Sequence, residues 1–394
     1  MSSDWTKVRL NEIADITMGQ SPSSEYYNLN GIGLPFFQGC SEFGELYPSE
    51  RKYCSKPTRI AKRDDVLMSV RAPVGDLNIA NKECCIGRGV CSIRSKTGDR
   101  FVYYLLKVNL GLIQSYSSGT TYQSINKKEV NELPLFVPTL LTQRKIASIL
   151  SVYDNLIENN TRRIQILEEM AQRIYKKWFV DFKYPGHEND ELVDSELGMI
   201  PEGWEIKSLK EISVNFDRKR IPLSSMVRAD MKGDYPYYGA AKIFDYINKY
   251  IFDGCYLLLA EDGSVITDQG NPVLQLVKGK FWVNNHAHVL QGIYPISTEF
   301  LTLALSNVKI LGYITGAAQP KISQTNMNRI PLIKAPENIL NRFYEITESI
   351  FSAKFIFAEE NKNLRQTRDL LLPKLISGKI DVSDLDIDTS LLDD

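Results

Sequence analysis

From Thr139 to Phe182 the chain contains neither Pro nor Gly, and its apolar positions step alternately by four and three: Ile146, Leu150, Tyr153, Ile157, then Ile164, Leu167, Ala171, Ile174 and Trp178, with polar Asn160 in the same register. A seam sustained for about four and a half heptads predicts a coiled-coil helix rather than an ordinary amphipathic one. At ~1.5 Å per residue, such a helix makes a rod of roughly 60 Å. A second seam runs near the other end, through Phe343, Ile346, Ile350, Ala353, Phe357, Glu360, Leu364, Thr367 and Leu371. Pro373 is expected to end or kink that helix before Leu375-Ile376-Ser377-Gly378. The polar seam members Asn160, Glu360 and Thr367 cost stability and can fix register.

Before each helix the pattern changes to short apolar runs punctuated by Gly and Pro. Asp65–Val70, Leu77–Ala80 and Gly89–Ile93 read as strands, and Phe101–Ser115 is apolar at helical spacing. This plan occurs twice. Trp5, Leu10 and Ile13 recur as Trp204, Leu209 and Ile212; Leu34-Pro35-Phe36-Phe37 recurs as Tyr235-Pro236-Tyr237-Tyr238; Gly119, Ile125 and Pro134 recur as Gly316, Ile322 and Pro331. The anchors repeat while the residues between them mostly differ, as in a duplicated scaffold with diverged surfaces. The expected fold is α+β: two similar, mostly β globular domains joined by two long helices that pack as an antiparallel coiled coil, with pseudo-two-fold symmetry. The expected boundaries are 1–138 for the first domain, 139–182 for the first helix, 183–200 for a polar linker, 201–336 for the second domain, 337–380 for the second helix and 381–394 for a solvated acidic tail.

Charge sharpens this division. The net charge is -1. Residues 1–138 carry 17 basic and 14 acidic side chains and residues 199–336 carry 15 and 12, whereas residues 337–394 carry 7 and 12. Mildly basic globular parts permit nucleic-acid binding without demanding it. None of the six cysteines has metal-site or CxxC spacing, so reduced thiols are expected. No long uncharged apolar stretch or secretory leader is present, which predicts a soluble, cytoplasmic protein with no membrane role.

The run WFVDFKYPG (Trp178–Gly186), followed by SELGMIPEGWEIKSL (Ser195–Leu209), resembles the junction of specificity subunits of type I restriction-modification systems. The closing LLPKLISGKI (Leu371–Ile380) is similar to their second helical region. The resemblance implies two target recognition domains, each reading one half of a bipartite asymmetric site on double-stranded DNA. It implies helices that set the gap and dock two methyltransferase subunits, and motor-nuclease subunits that complete the restriction complex. The chain itself is then non-catalytic, with S-adenosylmethionine, ATP and Mg on the partner subunits.

Bases are read by polar and basic side chains on loops. The polar, Gly-flanked loops placed alike in both halves nominate Gln20, Ser21, Arg71, Arg88, Thr120, Thr121, Tyr122, Gln123 and Lys127 in the first domain. In the second they nominate Lys219, Arg220, Tyr238, Lys242, Gln319, Lys321 and Gln324. For each, the plainer alternative is a solvated loop side chain or a phosphate contact. Trp178, Phe179 and Phe182 either dock a partner or close the coiled coil against the linker.

A competing reading is a metal-dependent nuclease. Glu261 and Asp262 follow an apolar strand, and His286-Ala287-His288 places two imidazoles on one strand face. Such a site needs three or four converging ligands. The first half has no matching His-x-His. The chain also lacks an Asn/Asp-Pro-Pro-Tyr motif, a Gly-x-Gly-x-x-Gly fingerprint and a P-loop, so methyl transfer and ATP hydrolysis are expected on other chains.

Overall fold

Both long helices form, as Leu140–Phe179 and Glu337–Ile376, in a computed structural model that describes residues 5–119, 123–316 and 319–389. Two compact units result. Residues 1–160 and 360–394 make one, and residues 161–359 make the other. Each helix therefore gives one part of its length to each unit, instead of standing apart from the globular domains.

In the first unit, strand Thr6–Arg9 pairs antiparallel with Pro134–Val137 and ties the two ends of the β region together. Strand Ala14–Met18 then joins Val90–Ser95, which pairs with Val66–Ser69, which pairs with Leu77–Ile79. Leu34–Phe37 runs parallel to Cys84–Ile86. Helix Phe101–Val108 is buried from Phe101 to Leu106, and Ile146, Leu150, Leu372, Leu375 and Ile376 of the long helices join the same core. Each such aliphatic side chain removed from water contributes about 1.5–3 kcal/mol.

The second unit repeats the arrangement. Glu205–Ser208 pairs with Pro331–Lys334, and Ser208 meets Pro331 as Arg9 meets Pro134. Ser213–Asn215, Ala287–Gly292, Phe252–Ala260 and Leu274–Val283 reproduce the four-strand order. Tyr237 and Tyr238 run parallel to Trp282 and Val283, as Phe36 and Phe37 do to Cys85 and Ile86. One difference is continuity. Leu274–Val283 is a single strand, whereas the first unit interrupts it between Ile79 and Cys84.

The two helices pair antiparallel inside each unit. In the first, Asp154 meets Arg368, the Ile157 carbonyl meets Asn361 and Asn160 meets Glu360. In the second, Arg163 lies over Phe357, Glu168 meets Lys354 and Trp178 meets Phe343. Partner numbers fall as helix numbers rise.

The seam of the first helix follows the expected spacing: Ile146, Leu150, Ile157, Asn160, Ala171 and Trp178 are buried, and Tyr153, Ile164, Leu167 and Ile174 partly so. The second helix corrects the expectation. Phe343 and Ile350 are buried and Phe357, Leu364 and Leu371 partly so, but Ile346 is 40% exposed while Thr347 is 1% exposed. Glu360 and Thr367 are likewise exposed, and Asn361 and Arg368 are buried in their place. Two alternations, three-four and four-three, pass through the same five residues, and apolarity favours Ile346 and Ala353. The packed members are instead polar residues with partners. Thr347 donates to the Phe343 carbonyl (2.9 Å), Lys354 pairs with Glu168 (2.8 Å), Asn361 donates to the Ile157 carbonyl (3.3 Å), and Arg368 pairs with Asp154 (2.7 Å). Glu360 stays at the flank, accepting from Asn160.

Two further expectations are corrected. Pro373 lies within the helix and does not end it before Leu375; the helix runs to Ile376, and Leu375 and Ile376 are held in the core. The segment 381–389 is not a free tail. Val382 is buried, Lys145 donates to the Ser383 carbonyl (2.6 Å) and Ser148 to that of Asp388 (2.7 Å). The acids of that segment point outward while Val382 and Ile387 point inward.

The polar linker is partly structured. Leu192–Val193 pairs with Ile200–Pro201, and the buried ring of Tyr184 lies against Trp204. Phe179, 1% exposed, sits 4.9 Å from both Phe300 and Phe343 and 5.6 Å from Trp204. The aromatic group at the helix end is thus buried packing of the second unit. Buried Cys54, Cys84, Cys85 and Cys91 are free thiols, and burial pushes Cys91 up to about 12.

Candidate nucleic-acid interface

In the first unit a chain of backbone bonds gathers most of the nominated residues. The Gln20 amide donates to the Ile86 carbonyl (3.0 Å) as the chain leaves strand Ala14–Met18. The Ser21 hydroxyl donates to the Gln38 side-chain oxygen (3.0 Å) and accepts from the Arg88 amide (3.2 Å). The Gly89 amide donates to the Gln38 carbonyl (3.1 Å), and the Val70 amide to the Gly89 carbonyl (2.9 Å). The Ala72 amide closes the series on the Gln123 carbonyl (3.0 Å). Gln20, Arg71, Arg88 and Gln123 are exposed around this framework, and Lys127 opens the adjacent helix Lys127–Asn131.

Gln38 was not nominated from the sequence. Its signal is its position just after the repeated Leu34–Phe37 anchor. A Cβ on Gly87 would lie 2.6 Å from the Gln38 side-chain oxygen, and one on Gly89 2.5 Å from its carbonyl oxygen. Close backbone approach therefore requires glycine at position 89, whereas at 87 the Gln38 side chain can give way. Thr120, Thr121 and Tyr122 lie outside the described residues.

The second unit keeps part of this backbone frame and changes the side chains. The Asn284 amide donates to Tyr238 as Gly87 does to Phe37. Glu261 donates to His286 as Val70 does to Gly89, and Gly263 to Pro320 as Ala72 does to Gln123. Ile322 donates to Glu261 as Ile125 does to Val70. By this correspondence Asn285 stands where Arg88 does, and Asp262 where Arg71 does. One backbone frame presents two guanidinium groups in the first unit and an amide and a carboxylate in the second.

The other nominated residues divide by what holds them. Lys219, Lys242, Gln319 and Gln324 are exposed. Lys321 is half-exposed and bound to Glu261 (3.1 Å). Arg220 is turned inward, donating to Glu261 (2.7 Å) and to the Ala287 carbonyl (2.8 Å). Tyr238 packs edge-on against Phe281 at 5.7 Å, and burial pushes its hydroxyl up to about 12, so it belongs to the packing.

Of the four residues of the nuclease reading, His286 pairs with Asp262, whereas His288 lies 3.7 Å from Glu261 and pairs with Asp217 instead. Half-exposed His286 meets Asp262 (2.6 Å), and buried His288 meets Asp217 (2.6 Å). Asp217, Glu261 and His288 offer ligand atoms within 4.8 Å of one another. Each is already engaged within the protein. His288 Nε2 faces the Ile322 carbonyl (2.9 Å), which can only accept, so that nitrogen donates. Its Nδ1 is engaged by the Asp217 carboxylate, and Arg220 and Lys321 already neutralise Glu261. Burial would raise both carboxyls. Hydrogen bonds from His288 and the Val289 amide, with the charge of His288 nearby, overcome this for Asp217. Contacts with Arg220, His288 and Lys321 do so for Glu261. Both are held below the usual carboxylate range.

Comparison with known proteins bears on the whole chain. The family model described as the type I restriction modification DNA specificity domain matches residues 2–169 and 201–339. A type I restriction enzyme specificity subunit of Methanocaldococcus jannaschii, MjaIX, is 26% identical, over 97% of this chain and 95% of its own length. A second subunit of that organism, the putative MjaX specificity subunit, is 39% identical over 43% of this chain and 41% of its own. Among solved structures, the S subunit of a type I restriction-modification system from M. genitalium matches with a TM-score of 0.60 at 19% identity. That match covers 95% of this chain and 97% of the other, and it shows a shared fold. No helix among the described residues is long and apolar enough to cross a membrane.

Proposed function

The chain belongs to the type I restriction-modification DNA specificity family, and from that premise we propose that its two units read the two halves of a split, asymmetric DNA site. The observation that carries this reading is the pair of matched hydrogen-bond frames bearing unlike side chains. A shared frame presents loops to a duplex in one way, while different side chains select different bases. Arg71 and Arg88 suit guanine edges or phosphates; Asn285 suits adenine. The antiparallel helices hold the frames and fix the gap. The chain contributes recognition. Methyl transfer to a flipped adenine belongs to partner methyltransferase subunits that carry S-adenosylmethionine. Cleavage belongs to motor-nuclease subunits that use ATP and Mg.

The test is co-expression with the cognate methyltransferase, followed by base-resolution mapping of methylated adenines. Exchanging residues 201–336 for those of a relative should change one half of the mapped site and leave the other. An unchanged map after that exchange, or a map without two separated halves, overturns the proposal.

A further inference from the structure

The second unit holds a buried ionic cluster where the first unit is apolar. His288 is 1% exposed and is the hub. Its Nδ1 meets Asp217 Oδ2, and Asp217 Oδ1 accepts from the Val289 amide (2.9 Å). Its Nε2 donates to the Ile322 carbonyl. Glu261 lies 3.7 Å away and is linked through Arg220 and Lys321. In the strand ladders His288 stands opposite Leu259 as Cys91 stands opposite Met68. Met18, Val70 and Cys91 thus occupy the places of Asp217, Glu261 and His288, and all three belong to the apolar core or pack against it.

The fold does not need charge at this position, since the first unit forms the same ladder without it. Replacing buried charges by apolar groups of similar size is often neutral or stabilising, so stability alone does not account for the cluster. Three loops meet at His288. Asp217 begins the turn that carries Lys219. Glu261 begins the turn that carries Asp262. Ile322 sits in the loop that carries Gln319, Lys321 and Gln324. Lys219, Gln319 and Gln324 are exposed on the outer side of two of these loops, Asp262 of the third is held by His286, and each loop is tied to the His288 imidazole or to its carboxylate partners on the inner side.

We propose that His288 is a positioning residue for recognition of the second half-site: without touching DNA, it holds three reading loops in one arrangement. The proposal rests on the two-half reading above. Its consequence is that base discrimination by the second unit depends on an internal residue, while discrimination by the first unit does not.

The test uses the full chain with its methyltransferase partner. The methylated site is first mapped for the unaltered chain. Methyl-transfer rates are then measured on duplexes with single base-pair changes in either half. The variants are His288→Cys, which installs the first unit's residue, and the milder Glu261→Gln, which keeps the acceptor and removes the charge. The expected result is a loss of at least tenfold in discrimination against second-half changes for His288→Cys, and a smaller loss in the same half for Glu261→Gln. First-half discrimination stays within twofold, at a temperature where thermal unfolding shows each variant folded. If His288→Cys does not fold, Glu261→Gln alone decides. Equal losses in both halves, or no loss in the second, overturn the positioning role. An unaltered chain whose map is not split overturns the underlying reading instead, before any variant is made.

Discussion

Removing one partner of the Arg368–Asp154 pair tests whether the polar members of the helix seam hold the first unit together. The two charges meet at 2.7 Å with side chains 6% and 1% exposed, and the Tyr104 hydroxyl donates to the other Asp154 oxygen at 2.5 Å. Arg368→Met leaves the Asp154 carboxylate buried without its cation, which costs about 3–5 kcal/mol. The neighbouring contact with Asp369 is too exposed to matter much. For a unit in this size range about 1 kcal/mol moves the midpoint by ~2–4 °C, so the variant should melt roughly 6–20 °C lower. Adding Asp154→Asn removes the stranded charge and keeps an acceptor for Tyr104. The double variant should return to within about 1 kcal/mol of the parent. Thermal unfolding by circular dichroism and urea titration of both variants measures the coupling. A fall of less than 2 °C for Arg368→Met, or a double variant as unstable as the single, refutes the reasoning.

Phe179→Ala should cost the second unit about 3–5 kcal/mol, because a fully enclosed ring is lost from among Phe300, Phe343 and Trp204; limited proteolysis and thermal unfolding check this. Acid should destabilise the second unit. Asp217 and Glu261 have folded pKa values below their unfolded ones, so their contribution is full above the unfolded value of about 4 and is lost as pH falls from there through the lower folded values. An unfolding midpoint measured from pH 6 to pH 3 should fall more steeply for the parent than for Asp217→Asn. Gly89→Ala drives a methyl into the Gln38 carbonyl and should reduce discrimination in the first half-site by about tenfold, leaving the second intact in the same methyl-transfer assay.

The duplicated plan was legible in the sequence because the anchors that repeat are core residues. Leu10 and Leu209 open matching short helices, and Ile125 and Ile322 make matching backbone bonds. The first seam was legible because its buried members are mostly apolar. The second was read one residue early at Ile346, Glu360 and Thr367, since periodicity cannot see that Asn361 and Arg368 find partners on the other helix. Segment 381–389 was misread for a related reason. Its composition is acidic, and only the fold brings Val382 and Ile387 to a core formed far earlier in the chain. Among the nominated readers, loop polarity located the frame around Gln20, Ser21 and Arg88 but could not separate outward Lys219 from inward Arg220, one position later. The convergence of Asp217 with His288 joins residues 71 positions apart, and only strand pairing reveals it.

The first unit is built from residues 1–160 together with residues 360–394, while the second is one uninterrupted stretch. During synthesis the ribosome must add the roughly 200 intervening residues, which takes roughly 10–40 s at ordinary elongation rates. Over that interval Ile146, Leu150 and Asp154 have emerged without the helix that covers them. The half made first is therefore completed last, and a nascent chain stalled before residue 360 should be one that chaperones retain.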